Sequence, residues 1–247
     1  MNKFNIRTDS RLIIVPVDLL PDYERDPEKA HRDFGARVTR STSKFLKDVN
    51  LIKAMFTDKF KKPWNEKHVF YSWFVGNPNF FYHAHIDLGQ KNDACGMALG
   101  HQDGPFTIID FAESLNPKEI GEIDFEEVRM IFKVMEQRGF GYDITFDSWN
   151  SVDSIQQFQK RGIEATLFSL DKDVRGYTAL KHGLYEHSVK CYYNPVLEKE
   201  LRELDQVDFD KVDHPTGGSK DLSDAVAAVT FHCREDAFHE ITEGAIA

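Results

Sequence analysis

Four aspartates from three separate parts of the chain could together bind divalent metal ions. Asp87 interrupts an apolar, strand-like run, where β propensity disfavours an acidic residue. Asp147 ends a second apolar run just before a predicted helix, and Asp221 and Asp224 lie three residues apart at the start of another. Carboxylates a few ångströms apart raise one another's pKa values unless a cation compensates them. Because hard oxygen ligands suit Mg²⁺ or Mn²⁺, the pattern predicts a divalent-metal site.

Each aspartate also has an ordinary structural explanation. An isolated Asp147 is more often a cap or turn residue, and Asp221 and Asp224 could be helix-start acids on a solvated face. Their joint placement favours the metal site, because the strands of Asp87 and Asp147 should be neighbours and the last helix can supply a third side. Two ions about 3.5–4 Å apart could activate a water and stabilise the leaving oxygen of an in-line phosphoryl displacement. We therefore expect a phosphodiester substrate.

Hydrophobic periodicity predicts an α/β fold with a mixed sheet flanked by helices. From about residue 68, β-rich runs separated by turns predict an antiparallel meander, including a turn at 89–93, and the order helix, strand, helix, strand then predicts parallel strands joined by helical crossovers. The expected strands are 69–71, 80–88, 95–99, 106–109, 142–147 and 163–170, and the expected helices are 125–138, 152–161, 174–186, 195–204 and one capped by Ser219.

Residues 1–67 are predicted to form a helical and linker segment that packs on a main domain at 68–247. A short helical pattern opens at Asp26 and can end at Gly35, and a second helix is predicted after residues 41–43 with Phe45 and Ile52 on its apolar face. A length of 247 residues with 41% hydrophobic composition fits either one large domain or a domain with a small subdomain.

The charge is uneven along the chain. A formal net charge of −10 would ordinarily disfavour a polyanionic partner, yet residues 36–67 hold nine Lys or Arg against three acidic residues, a local +6. Three widely spaced cysteines favour neither a disulfide framework nor a zinc site, so a reducing, cytosolic setting fits best. Neither a signal peptide nor an apolar run of about 18 residues is evident, so we expect a soluble protein.

Basic residues and His85 are further candidates. His85 shares a strand face with Asp87 and could lie near the metals, although a packed or hydrogen-bonded sheet histidine is the commoner case. Basic side chains can bind phosphates by releasing counterions, whereas the alternative is an ordinary solvated surface or linker. The candidate phosphate contacts are Lys59, Lys61, Lys62, Lys172, Arg175 and Lys181.

Three segments of the sequence resemble the C-terminal nuclease domain of tailed-phage large terminase subunits. They are IDLG at 86–89 followed by Asp93, FDS at 146–148 after a crossover helix, and HPTGGSKDLSDAV at 214–226, which is the most specific. The resemblance covers about residues 68–235. Residues 17–23 and 26–30 also resemble the segment that links the motor to the nuclease in that family.

This resemblance implies a ribonuclease H-like fold and metal-dependent cleavage of double-stranded DNA, with little sequence preference, at the end of each round of genome packaging in the host cytoplasm. It implies that Asp87, Asp147 and Asp224 bind two ions of Mg²⁺ or Mn²⁺, with Asp221 as a weaker candidate. His214 could be a ligand or could position one, although a histidine before proline is more often a turn residue.

The family's complete proteins also carry an ATPase motor, and its partners include the portal and the small terminase subunit. No GxxxxGK[ST] sequence occurs here, so we expect the nuclease part alone. Two alternatives remain open: another ribonuclease H-like nuclease of the resolvase or integrase type, and a non-catalytic DNA-binding module.

Overall fold

The structure is a computed structural model that describes residues 3–8, 11–27, 30, 43–88, 94–117, 122–147, 151–208 and 211–244. The helices with both ends in these ranges are α1 (Leu20–Arg25), α2 (Val49–Met55), α3 (Phe125–Gln137), α4 (Val152–Lys160), α5 (Arg175–Tyr185), α6 (Pro195–Glu203) and α7 (Asp221–Gly244). The strands are β1 (Lys3–Thr8), β2 (Arg11–Pro16), β3 (Ser43–Lys44), β4 (Tyr82–Leu88), β5 (Cys95–Asp103), β6 (Phe106–Leu115), β7 (Tyr142–Phe146), β8 (Ala165–Leu167), β9 (Val189–Cys191), β10 (Asp205–Asp208) and β11 (Lys211–Asp213).

A six-stranded mixed sheet in the order β8-β7-β4-β5-β6-β9 forms the centre of the fold. Strands β4, β5 and β6 form the predicted antiparallel meander. Strands β7 and β8 extend it in parallel beyond β4, and β9 runs parallel to β6 at the opposite edge. The predicted α/β class and mixed sheet are therefore confirmed.

The sheet separates two hydrophobic cores. On one face, Ile86 of β4 packs in a cluster that contains Val128 of α3. On the other face, Ala98 of β5 belongs to a cluster formed with α2, α5, α6 and α7. Because successive strand residues point to opposite faces, His85 and Asp87 lie on the α7 side of β4.

Helix α7 lies directly against β5 because β5 presents glycine there. A Cβ atom added to Gly96 would lie 1.9 Å from the carbonyl oxygen of Asp221, and one added to Gly100 would lie 2.9 Å from Cγ1 of Val229. Any side chain at Gly96 would therefore force the start of α7 away from the sheet. This close approach brings the first turn of α7 beside the end of β4.

The structure differs from the predicted elements at several places. Residues 69–71 form no strand, because Phe70 turns into an aromatic cluster with Trp64, Phe74 and Phe111. The strand predicted at 163–170 is only β8, three residues long. The short strand β9 and the two small sheets, β1-β2 and β11-β10-β3, were not predicted.

The N-terminal segment also differs from its predicted helical character. Strands β1 and β2 pair as an antiparallel hairpin, and α2 begins only at Val49, where the Asp48 side chain accepts a hydrogen bond from the backbone N–H of Asn50 at 2.8 Å. Phe45 and Ile52 belong to the core cluster with α5 and α7. The predicted helix end at Gly35 and the turn at 89–93, with Asp93, lie outside the described residues, and the domain boundary at 67/68 stays a prediction. Over the described ranges, no helix has the length and apolarity needed to cross a membrane.

Candidate metal centre

Asp87 and Asp147 lie side by side at one end of the sheet. Strands β4 and β7 are parallel neighbours, and Ile86 pairs with Phe146 in their register. Each aspartate directly follows one of these two paired residues, and the backbone N–H of Asp147 donates to the Ile86 carbonyl at 3.3 Å. The predicted neighbourhood of these two strands is therefore present in the structure.

The first turn of α7 brings Asp221 and Asp224 to the same end. Asp87 pairs across the β4-β5 ladder with Gly96, and the backbone of Asp221 lies against the Cα of that glycine. Asp224 is one turn further along α7 and is only 2% exposed. All four aspartates predicted from the sequence are thus brought together.

The pKa values of the aspartates reflect this crowding. Burial raises the pKa of Asp87 well above its usual range, and the charges of Asp224, Asp147 and Asp221 raise it further. Burial also raises the pKa of Asp147, and it raises that of Asp224 to about 6. A cation at this position would relieve the repulsion, as expected for carboxylates that share a site.

Three donors partly compensate the acids. The Nζ atom of Lys220 lies 2.6 Å from Oδ2 of Asp224, and the Tyr177 hydroxyl donates to Oδ1 of the same carboxylate. The backbone N–H of Leu170 donates to Oδ1 of Asp147 at 2.7 Å. Both oxygens of Asp224 therefore already have a partner.

Lys220 supplies a positive charge at the centre of the acids. Its burial would lower its pKa, but Asp224 and Asp171 outweigh that effect and raise the pKa above the ordinary value. Its charge also offsets a small part of the rise in the pKa values of Asp87 and Asp147, which burial raises. The Lys220 ammonium thus supplies part of the positive charge that a metal ion bound to these carboxylates would provide.

The chemistry of the donor set fits a hard divalent ion, since all four candidate ligands are carboxylates. Within the described ranges, however, no three His, Cys, Asp or Glu side chains are arranged so that they could together hold a metal ion. In this arrangement the carboxylate of Asp224 contacts Lys220 through Oδ2 and Tyr177 through Oδ1.

Glu200 of α6 is a buried acid that the sequence analysis did not identify. It is 4% exposed, and its Oε2 accepts the backbone N–H of Ser223 at 2.7 Å, which fixes the start of α7. The Ser219 hydroxyl lies 2.9 Å from Oε1 of Glu200 and 2.8 Å from Oδ2 of Asp221. Burial is the main cause that raises the pKa of Glu200 to about 7.

The two candidate histidines make structural contacts. His85 is fully buried, its Nδ1 lies 2.8 Å from the Thr145 hydroxyl, and burial lowers its pKa to about 3. Because Thr145 donates to the carbonyl of Ala84, its hydroxyl accepts the proton of His85 Nδ1. His214 Nδ1 lies 2.9 Å from the Pro215 carbonyl, as in a turn. The Nε2 atom of His85 is buried without a hydrogen-bond partner in the part of the chain that the structure describes.

The lysines of the basic segment lie on the surface. Lys59, Lys61 and Lys62 are exposed, and Lys62 forms an ion pair with Glu113 at 3.0 Å. Lys59 and Lys61 line a surface cavity together with Trp73. These positions allow the phosphate contacts that the sequence predicted.

The basic residues beyond β8 divide into exposed and buried groups. Lys172 is exposed, and Arg175 is exposed but paired with Asp173 at 2.5 Å. Lys181 is only 5% exposed, with its Nζ 3.2 Å from Oδ2 of Asp26. Its ammonium is turned into the protein, so the prediction of a DNA contact at Lys181 is corrected.

Sequence reasoning missed four residues that surround the predicted acids. Lys220 stands four residues before Asp224, the spacing at which helical side chains meet, so this signal was available. Asp171 directly follows the strand predicted at 163–170, so the same strand-end reasoning could have found it. Tyr177 and Glu200 come from separate helices and carry no local signal.

Comparison with known proteins identifies the class of fold. No family model matches the sequence, and no curated protein matches it. Among solved structures, the large terminase nuclease from thermophilic phage G20c with bound magnesium has a TM-score of 0.56 at 15% identity, covering 74% of this chain and 95% of that one. The same nuclease has also been crystallised with bound cobalt and with bound zinc.

Two further structures come from other phages. The Thermus phage P74-26 large terminase nuclease domain has a TM-score of 0.52 at 13% identity and covers 73% of this chain and 92% of that one. The HK97 bacteriophage large terminase has a TM-score of 0.56 at 13% identity and covers 86% of this chain but 47% of that one. At these identities the likeness establishes the fold: the chain has the ribonuclease H-like fold of large terminase nucleases.

Proposed function

We propose that this chain is a metal-dependent endonuclease that cleaves double-stranded DNA with little sequence preference during packaging of a viral genome. The observation that carries the proposal is the convergence of Asp87, Asp147 and the first turn of α7 at one end of the sheet. Support also comes from the shared fold with terminase nucleases, one of which was crystallised with magnesium. The expected setting is the cytoplasm of a bacterial host.

Asp87, Asp147 and Asp224 would hold the metal, with Asp221 as a further candidate. We propose two ions of Mg²⁺ or Mn²⁺, which when bound would activate a water and stabilise the leaving oxygen of a phosphodiester. The chain's own groups orient the ligands, since the Leu170 N–H holds the carboxylate of Asp147 by a 2.7 Å hydrogen bond. We also propose His85 and His214 as groups near the metal, of which His85 has its Nδ1 on Thr145 and its Nε2 buried without a hydrogen-bond partner among the described residues.

The proposed DNA contacts are Lys59, Lys61, Lys62, Lys172 and Arg175, all of which are exposed. Basic side chains of this kind bind phosphates and carry no sequence information, which accounts for the proposed lack of sequence preference. Lys62 and Arg175 would have to exchange their present acidic partners for phosphates. In a complete large terminase, the further partners would be the ATPase motor, the portal and the small terminase subunit.

Plasmid cleavage tests the proposal most directly. We expect the chain to nick and linearise supercoiled DNA with Mn²⁺ or Mg²⁺ and to leave it intact with EDTA. Asp147→Asn should abolish cleavage, whereas Asp153→Asn should retain it, because the Asp153 side chain is 68% exposed on α4 and pairs with Arg129. If the unmodified chain leaves DNA intact with every metal and pH tested, while still binding DNA, a non-catalytic DNA-binding module becomes the better explanation.

Two further comparisons sharpen the assignment. Loss of cleavage in Asp221→Asn but not in Asp224→Asn would move the third ligand to Asp221. A strong preference for four-way or branched DNA over linear duplex would instead favour a resolvase-type nuclease. Both comparisons need only the plasmid assay and a set of labelled DNA substrates.

A further inference from the structure

We propose that Lys220 is a tethered counter-ion of the acid cluster, and that a divalent cation must displace its ammonium from Asp224 in order to bind. The inference rests on the proposed function, because it takes Asp224 to be a metal ligand. It assigns to Lys220 a role in setting metal affinity, separate from the role of the ligands themselves.

The contacts of Lys220 place its charge where a metal ion would compete with it. Its Nζ lies 2.6 Å from Oδ2 of Asp224 and 2.9 Å from Oδ1 of Asp171. Lys220 is 8% exposed, so solvent screens these contacts little. Because the cluster's carboxylates repel one another, a cation of higher charge at the same position would be favoured over the ammonium.

Of the two groups that hold Asp224, Lys220 is the one able to give way. Tyr177 lies in the first turn of α5 and is fully buried, and its ring packs edge-on against Phe45 with centroids 5.6 Å apart. Lys220 instead precedes α7 and follows Gly217, whose φ of +82° marks a turn. A side chain at the end of a loop can withdraw without disturbing the helix core.

Asp171 offers the displaced ammonium a position at the surface. Its side chain is 58% exposed, whereas that of Asp224 is 2% exposed. If Lys220 releases Asp224 and keeps Asp171, it moves from the interior of the cluster to its rim. The ion pair with Asp171 thus keeps the ammonium near the site without blocking Asp224.

The test compares Mn²⁺ binding by isothermal titration calorimetry at pH 8 in the unmodified chain, Lys220→Gln, Lys220→Arg and Lys160→Gln. We expect Lys220→Gln to bind Mn²⁺ on the order of tenfold more tightly, since the competing charge is removed. With EDTA, its thermal midpoint should be lower than that of the unmodified chain. Lys220→Arg keeps the charge and should stay close to the unmodified affinity, as should Lys160→Gln, an exposed lysine on α4.

Unchanged or weaker Mn²⁺ binding by Lys220→Gln, with normal binding by the unmodified chain, would overturn the role of Lys220 and leave the proposed nuclease intact. Absence of Mn²⁺ binding by every protein would overturn the metal centre and this inference together. Plasmid cleavage measured in parallel keeps the two failures distinguishable.

A measurement on the unmodified chain covers the case in which Lys220→Gln does not fold. The ¹⁵N resonance of the Lys220 ammonium should be visible with EDTA, because a buried, hydrogen-bonded ammonium exchanges slowly with water. Saturating Mg²⁺ should shift this resonance or broaden it beyond detection. A resonance that stays unchanged while calorimetry shows Mg²⁺ bound would refute displacement.

Discussion

Replacing Glu200 by glutamine should remove a pH dependence of stability that this buried carboxyl creates. The Ser219 hydroxyl has one proton but lies within 2.9 Å of carboxylate oxygens from both Glu200 and Asp221. It can donate to only one of them at a time. Burial is the main reason why the folded chain holds the Glu200 proton tightly, with a pKa of about 7, and it outweighs the hydrogen bonds from Ser219 and from the Ser223 N–H, which lower this pKa.

The loss of stability with rising pH can be calculated from the rise in the pKa of Glu200. A pKa raised from 4.5 in the unfolded chain to about 7 in the folded one means that the stabilisation is complete below pH 4.5 and is lost as the pH rises through 7. At about 1.4 kcal/mol per unit, the loss amounts to about 3 kcal/mol, most of it between pH 5 and 7.5. Glu200→Gln stays neutral throughout and should therefore show a flatter profile.

Urea denaturation at pH 5 and at pH 7.5, with EDTA present, measures this difference. Glu127→Gln is the matched control, because Glu127 is an exposed glutamate on α3. The reasoning is refuted if the unmodified chain and Glu200→Gln lose the same free energy of unfolding between the two pH values.

Three further substitutions test a close backbone contact, a hydrogen bond and a buried ion pair. Gly96→Ala should cost about 3 kcal/mol or more by urea denaturation, since its Cβ would lie 1.9 Å from a backbone oxygen, whereas Gly141→Ala has no atom within 4 Å and should be nearly neutral. Tyr177→Phe should cost about 1–3 kcal/mol in the same assay, because it leaves an oxygen of buried Asp224 without its donor; Tyr71→Phe, at 45% exposure, should cost little. Lys181→Gln breaks the buried ion pair with Asp26 and should cost about 3–5 kcal/mol of unfolding free energy. Its DNA affinity in a filter-binding assay should stay unchanged. A loss of DNA affinity without a loss of stability would contradict the structural role of Lys181.

The sequence predicts the sheet well where a strand has a strong hydrophobic pattern and clear turns. Strands β4 and β7 are both anticipated. The meander makes β6 parallel to β4, and the crossover helix α3 makes β7 parallel to β6, which is why Asp87 and Asp147 could be placed together. The strand predicted at 69–71 is wrong, because the aromatic residues that favour strands also pack in irregular core clusters, as Phe70 does against Trp64. Three-residue β9 is too short to show a period.

The candidate site divides in the same way. Its acids follow from strand ends and a helix start, which are local features. Lys220, four residues before Asp224, also has a local signal. Tyr177 on α5 and Glu200 on α6 instead meet the start of α7 only after the helices pack. No periodicity along a single element encodes such contacts.

When acids are concentrated at one end of a sheet, an arrangement that favours metal binding lowers the stability of the metal-free fold. Buried carboxylates destabilise the folded chain unless hydrogen bonds and opposite charges compensate them. Here the compensation of Asp224 comes from Tyr177 and Lys220, and that of Asp147 from a backbone N–H. A donor that moves away when the metal binds, as we propose for Lys220, stabilises the metal-free chain but also weakens metal binding. A donor fixed in the core, such as Tyr177, can stabilise the chain and also keep its ligand oriented, so the two kinds of substitution should affect metal affinity in opposite directions.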